Sequence, residues 1–519
     1  MGLIVDPGST ITTQVQDGES ISITTREAAT LASVSGMSLT PGTVIGPIFN
    51  QTKVFGPYSA GIYSVTAFGD RATATNLVIP GLPLVVSGVS VDQAQSYQFA
   101  AVGDSLTYQN TYGSPILSRS IGFMVWASVL SEGRIGFKNE FNFGVAGETT
   151  AQILSRLPNA IMLMKAANIK FCSVHGGTND ISSTSPIIPS SLIVSNLVAC
   201  YNLLLAAGIT PIAFPITPRS YQMTATVTQR HQQANDLLRK AAQEIPGVII
   251  FDPTMALSDP NLSDGSPIGG TPPTGGTALE IAARAVADTI DGLHWSCRGA
   301  FKVGRRFFSA VEAKLAKIPQ ICYSAADLYN ATENPIGSMM LNPMMQGTTG
   351  TVLAGASGTV ATNWTMSRQS GTTGAAVCSK GTFNLDDDNV VTTQIISMSA
   401  PGGSSTEVFR FYQVAAISMA IGEKFFGAMH VTISGIGADS LRYVKLVATD
   451  GAALSTGLAE STGLYMPNNS WAGVIETPVA TATAANTQLL RLEIGLDGTV
   501  SGNAVTVTVR QAVFRKVIG

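Results

Sequence analysis

The chain is poor in charge, in histidine and in cysteine pairs. Charged residues make up 12% of its 519 positions, about half of the ~25% usual in soluble proteins. Thirty Lys and Arg stand against 33 Asp and Glu, a net charge of −3. That balance gives nucleic acid or an anionic membrane no electrostatic reason to bind. The five cysteines (Cys172, Cys200, Cys297, Cys322, Cys378) are odd in number, scattered and without a CxxC pair. This excludes a disulfide framework or a zinc-site pattern and predicts buried free thiols. No EF-hand, P-loop or dinucleotide fingerprint occurs, so neither metal nor cofactor is expected. One long uncharged stretch, 181–218, is interrupted by Pro186, Pro189, Asn196, Asn202, Gly208, Pro211 and Pro215. None of its apolar segments reaches the ~18–20 residues of a membrane span, so no membrane insertion is expected. Residues 1–6 show neither a basic region nor a long apolar one, and no signal peptide is expected.

What is present is glycine (52 residues) with much Ser, Thr and Ala, a composition suited to β-rich architecture. Residues 1–80 read as strands. Residues 11–15 and 20–24 alternate apolar and polar with period two, and Asp17-Gly18 between them is a strong turn signal. We read 1–80 as a small β domain and the Pro/Gly/Val-rich residues 81–95 as a linker. From residue 96 to 318 strand and helix alternate. Strands end at residues 101–106, 141–144, 169–174, 211–215 and 248–252, and helices cover 121–131, 149–167, 190–207, 226–244 and 298–317. That rhythm implies right-handed βαβ crossovers and a parallel sheet. The Arg/Lys cluster of the last helix reads as a solvated face. Residues 319–345 form a Met- and Pro-rich connector. Short alternating strands separated by Gly, Ser and Asn turns fill 346–519, which suggests an antiparallel sandwich or jelly roll.

Chemistry concentrates at strand ends, where open α/β sheets place their ligands. Gly103-Asp104-Ser105-Leu106 presents a serine there, either as a helix N-cap or as a nucleophile. A nucleophilic serine needs a base and a group that orients the base. Of the four histidines (His175, His231, His294, His430), His294 follows Asp291 by three residues across a glycine. A carboxylate so placed can accept from Nδ1–H while Nε2 faces outward. Two further loops could supply oxyanion donors. Gly147 sits in Ala146-Gly147-Glu148-Thr149, just before a helix. Asn179 sits in Gly177-Thr178-Asn179-Asp180, with a side-chain amide able to donate.

In order and rough spacing these four blocks resemble those of the SGNH (GDSL) hydrolases, over residues 96–318. The resemblance implies a flavodoxin-like parallel-sheet domain and ester hydrolysis through an acyl-enzyme, without metal or cofactor. It implies Ser105 as nucleophile, His294 as general base and then acid, and Asp291 as its orienter. The oxyanion hole would comprise the Ser105 N–H, the Gly147 N–H and the Asn179 amide. Glu148 stands where many members carry Asp. Trp295 follows the histidine, either walling the acyl pocket or packing as core. The stretch "FGPY…GIYSVTAFGD" resembles N-terminal β modules of bacteriophage tail and virion proteins. The C-terminal portion resembles jelly-roll modules that follow phage tail hydrolases and often bind glycans, with Trp364 and Trp471 among the aromatics able to stack on sugars. These resemblances imply a tailspike- or tail-fibre-like esterase that removes O-acetyl groups from a bacterial surface polysaccharide. They also imply a homotrimer, attachment to other virion tail proteins through the N-terminal domain, and a place in the virion tail. An inactive adhesive tail protein and a general lipase are the alternatives.

Overall fold

The computed structural model describes residues 97–519 except 220, 222–223, 258–287, 316–320, 323, 385–389, 401, 404–405, 438–439, 460–464, 485–486, 500–501 and 518–519, together with seven strands between residues 2 and 69. The chain divides into two compact units, residues 1–95 with 330–337 and residues 96–329 with 338–519.

In the first unit the strands are β1 (Gly2–Ile4), β2 (Thr10–Val15), β3 (Ile21–Thr24), β4 (Ala29–Gly36), β5 (Thr43–Ile45), β6 (Thr52–Phe55) and β7 (Gly61–Gly69). They form two sheets, ordered β1-β3-β6 and β2-β7-β4-β5. The strands on either side of Asp17-Gly18 therefore belong to different sheets and do not pair as a hairpin. The turn itself and the linker expected at 81–95 lie outside the described residues.

The second unit begins with a five-stranded parallel sheet. Its strands are β8 (Tyr97–Gly103), β10 (Ile135–Gly144), β11 (Phe171–His175), β12 (Thr210–Phe214) and β13 (Ile249–Ile250), ordered β10-β8-β11-β12-β13. The short strand β9 (Leu117–Arg119) lies apart from it. The helices are α1 (Ser105–Tyr108), α2 (Phe123–Leu130), α3 (Thr150–Ala166), α4 (Thr178–Ser182), α5 (Ser190–Ala206), α6 (Ala225–Glu244), α7 (Thr254–Leu257) and α8 (Cys297–Val311). Alternate residues of β8 face opposite layers, as strand pleating requires. Ala100 and Val102 pack with α3, α5 and α6, while Phe99 and Ala101 pack with α2 and α8. Helix starts are set by their caps. Gln152 Oε1 accepts from Thr149 N at 2.9 Å to open α3, and the Ser296 hydroxyl accepts from Gly299 N at 3.2 Å to open α8. Among the described residues no helix is long and apolar enough to cross a membrane, and all five cysteines are buried.

The remainder of this unit is two facing sheets. Their strands are β14 (Thr351–Val352), β15 (Ala356–Gly358), β16 (Thr365–Ser370), β17 (Ala375–Asn384), β18 (Val390–Ala400), β19 (Thr406–Ser418), β20 (Lys424–Ser434), β21 (Leu441–Thr449), β22 (Leu454–Ala459), β23 (Trp471–Glu476), β24 (Ala480–Thr481), β25 (Thr487–Asp497) and β26 (Asn503–Val517). One sheet runs β14-β16-β19-β25-β21-β22-β9; the other runs β15-β17-β18-β26-β20-β23, with β24 beside β20. Pairing is mostly antiparallel, and the two sheets are sandwich-like. β9 is the surprise, because it comes from the α/β half of the chain yet pairs in parallel with β22.

The α2/α8 layer continues into the sandwich as one apolar core. Trp126 meets Phe301 at 5.1 Å and Trp471 at 5.2 Å, both edge-on, the geometry that ring quadrupoles favour. Trp471 is therefore a core residue that joins the two halves. Trp364 is also fully buried, stacked on Phe411 at 4.5 Å, with its indole N–H donating to Asn342 O. Neither offers a face to a sugar, which corrects the glycan-stacking expectation for both. The basic side of α8 lines a cleft with residues 467–469, where Lys302 pairs with Asp288 at 2.7 Å and Arg298 bonds Asn468 at 2.7 Å.

The closeness of the two halves is fixed at Gly473, where a Cβ would collide with the Val129 carbonyl oxygen. Gly473→Ala should lower the unfolding free energy by about 1–3 kcal/mol, measured by urea titration followed by tryptophan fluorescence.

Candidate active site

Ser105 stands at the first residue of α1, just beyond the carboxyl end of β8. It is not the helix cap. Asp104 is, with its Oδ1 accepting from Leu106 N at 3.0 Å. The serine hydroxyl is thereby left for other work. Burial pushes the Asp104 carboxyl up to about 7, against the Leu106 N–H and the nearby His294 and Arg219, which favour its charged form. Gly103 serves for closeness, since a Cβ there would strike the His175 carbonyl and the Thr107 hydroxyl.

Asp291 and His294 lie on a tight loop closed by Ile290 N to His294 O (2.7 Å) and Ser296 N to Asp288 O (2.9 Å). The Asp291 carboxylate caps the loop, accepting from Leu293 N (3.0 Å) and His294 N (2.7 Å) through Oδ1. Its Oδ2 lies 2.7 Å from His294 Nδ1. Burial works to raise the Asp291 carboxyl, but the bonds from His294 outweigh it and hold it below the usual carboxylate range. On the other edge of the ring, Nε2 lies 2.9 Å from Ser105 Oγ, 189 positions away in sequence. With Nδ1 protonated and facing the carboxylate, Nε2 is the atom free to accept the serine proton.

The two donor loops follow β10 and β11, the strands on either side of β8, and are bonded to each other. Gly147 has a left-handed φ of +83°, with open space where a Cβ would stand. Asn179 Nδ2 donates to Glu148 O at 2.8 Å, a bond that uses one of its two amide hydrogens. Asp180 caps α3 from below, accepting from Thr150 N at 2.9 Å and from its hydroxyl at 2.7 Å. Ser105 follows β8 and Asn179 follows β11, the neighbouring strands at which the sheet order reverses, the usual ligand crevice of open α/β folds.

Trp295 does not join them. It is fully buried, parallel to His175 and Phe214 and edge-on to Phe123. It packs as core, which corrects its reading as a substrate contact. His175 is buried beside it and held neutral, its pKa pushed down to about 3 by burial. His231 and His430 serve elsewhere, His231 against the carbonyls of Ile216 and Thr217 and His430 against Arg510 and Glu132.

Two positioning groups escaped the sequence reading. Gln109 bonds both backbone atoms of Trp295. Arg156, on α3, donates through Nη2 to Gly103 O (2.9 Å) and Phe143 O (2.8 Å) and through Nε to Glu148 Oε2 (2.6 Å). One guanidinium thus ties the ends of β8 and β10 to the loop bearing Gly147. Glu148 supplies the carboxylate that meets it. The signal for Arg156 in the sequence was slight, a single cation between Ile153 and Leu157 on an otherwise apolar-faced helix. Arg156→Ala should cut turnover of p-nitrophenyl acetate roughly 10- to 100-fold in kcat, with little change in KM, because a displaced donor is felt at the transition state. Steady-state kinetics check this, and Arg156→Lys should recover part of the loss.

Residues 101–274 match the family described as GDSL-like Lipase/Acylhydrolase, a match that includes Ser105, Gly147 and Asn179 and ends before Asp291. No curated protein matches the chain. Among solved structures it is similar to a GDSL-like lipase from Bacteroides thetaiotaomicron, at 14% identity over 42% of this chain and 89% of that one, TM-score 0.31. It is similar also to a putative lipolytic protein of the G-D-S-L family from Desulfitobacterium hafniense, at 15% identity over 41% and 99%, TM-score 0.30. A third is an acetylxylan esterase from Geobacillus stearothermophilus, at 14% identity over 41% and 94%, TM-score 0.30. The family match thus indicates a GDSL-like hydrolase domain within the chain, over residues 101–274.

Proposed function

We propose that this domain is a serine esterase that removes O-acetyl groups from a bacterial surface polysaccharide, as part of a phage tailspike or tail fibre. The observation that carries the esterase reading is the unbroken relay from Ser105 Oγ through His294 to Asp291, at 2.9 Å and 2.7 Å. In this reading Ser105 Oγ attacks the ester carbonyl carbon while Nε2 takes its proton. Asp291 stabilises the imidazolium, and the Ser105 and Gly147 N–H groups with the Asn179 amide receive the oxyanion. Collapse breaks the bond to the sugar oxygen, which leaves with the proton from His294. Water then attacks the acetyl-serine by the same route, releasing acetate and restoring Ser105. The glycan part of the reading is supported by the likeness of the flanking β regions to phage tail modules. Attachment to other tail proteins and a trimeric assembly belong to the same proposal.

Ser105→Ala should lower kcat on p-nitrophenyl acetate by about 10⁴-fold or more while leaving the melting temperature in place. Turnover that survives the change would refute the nucleophile. Acetate release from purified bacterial polysaccharides tests the substrate class, and a preference for long fatty acyl esters would point to a lipase instead.

A further inference from the structure

The tryptophans expected to meet sugar are all in the core, yet two tyrosines are exposed beside the candidate site. Tyr112 is 43% exposed and Tyr221 is 46% exposed. Tyr221 is bonded to the loop that carries Asp291 and His294, whereas Tyr112 follows the nucleophile in the chain. Tyr221 N donates to Gly292 O at 3.2 Å, within that loop. Tyr112 ends the turn that follows the nucleophile, its N–H donating to Tyr108 O at 2.9 Å. Gln109, in the same turn, is bonded to the residue after His294. Burial raises the Tyr112 phenol; Gln109 and Arg119 act against the rise, and the Asp291 carboxylate adds to it, so Asp291 lies within electrostatic reach.

Tyr112 is also strained. Its φ is +49°, a left-handed conformation that a bulky residue adopts only at a cost. The next residue, Gly113, is left-handed as well, at +71°. Folding alone would favour glycine at both positions. A large ring stands there nonetheless, edge-on to Tyr108 at 5.6 Å and with the Arg119 guanidinium 5.9 Å from its centroid, so the position favours the ring at the expense of the backbone. An aromatic face carries negative potential, which suits the C–H faces of a pyranose.

We propose that Tyr112 and Tyr221 form a sugar-stacking subsite beside Ser105, which binds a pyranose ring of the acetylated glycan and so sets specificity for glycan esters over small esters. This rests on the deacetylase reading above. The substrates for the test are a polysaccharide from which the wild-type protein releases acetate, and p-nitrophenyl acetate. The variants are Tyr112→Gly, Tyr112→Phe and Tyr221→Ala. Tyr112→Gly and Tyr221→Ala should each lower kcat/KM on the polysaccharide roughly 10-fold more than on p-nitrophenyl acetate, with the difference residing in KM. Tyr112→Phe, which keeps the ring, should restore the ratio. Tyr112→Gly should melt no lower than wild type, because it relieves the left-handed strain. If both substrates suffer equally, or if Tyr112→Gly loses its melting temperature along with its activity, the tyrosines are structural and the subsite is refuted with the deacetylase reading intact. A wild-type protein that releases no acetate from any polysaccharide overturns the reading and the subsite together.

Discussion

One buried side-chain amide holds the halves of the site in register. Gln109 Nε2 donates to Trp295 O at 3.1 Å and its Oε1 accepts from Trp295 N at 3.2 Å. The amide stands in for the neighbouring strand that the Trp295 backbone would otherwise need. Leaving such buried groups unpaired would cost about 1–3 kcal/mol each, so the pairing is strongly specified. Ser105 lies one helical turn before Gln109 and His294 immediately before Trp295. Once those two bonds form, only local side-chain rotation remains to bring the hydroxyl to the imidazole. The Trp295 ring, locked among Phe123, Phe214 and His175, makes the same loop a core element. That is why the tryptophan beside the histidine is unavailable to substrate.

The residues most legible in the sequence were those whose chemistry is scarce. With four histidines in the chain, only one with an aspartate three residues earlier, the search for a base was short. Strands ending in glycine marked where the sheet would break, and β8, β10 and β11 end as their patterns suggest. Helices α3 and α5 fall within a residue of expectation. Gln109 and Arg156 were not legible because their partners are backbone carbonyls and amides, which every segment possesses. The tryptophans misled for a related reason. An alternating strand shows two faces, and which is covered depends on what packs there. Trp471 faces inward because α2, more than 340 positions earlier, lies on β23. Three residues of β9, Leu117 to Arg119, carry too little pattern to announce a strand, still less one that joins a distant sheet.

The α/β half and the sandwich are thus joined more intimately than their differing rhythms suggest. A strand passes from one to the other, a glycine admits a helix against the sandwich sheet, and Trp126 touches both. His430 and Arg510 on the sandwich approach Glu132 at the end of α2, adding a polar contact to the apolar one. The site's support is therefore continuous with a structure that contributes none of its reacting atoms.

The loan of β9 to a sheet whose other strands begin at Thr351 bears on how the protein is made. A ribosome releases residues in order, at ~5–20 per second, so β9 and α2 emerge long before β22 and β23 exist. Through that interval Trp126 has no Trp471 to meet, and an apolar layer stays uncovered. β26 pairs with β18 and β20, so closure of the second sheet waits until residues 503–517 have emerged. Contacts of such long sequence separation are slow to form. Nascent chains of this protein would thus spend their synthesis as clients of whatever shields exposed apolar surface. The same interleaving bars evolution from exchanging the sandwich as a loose cassette: any replacement must bring its own place for β9.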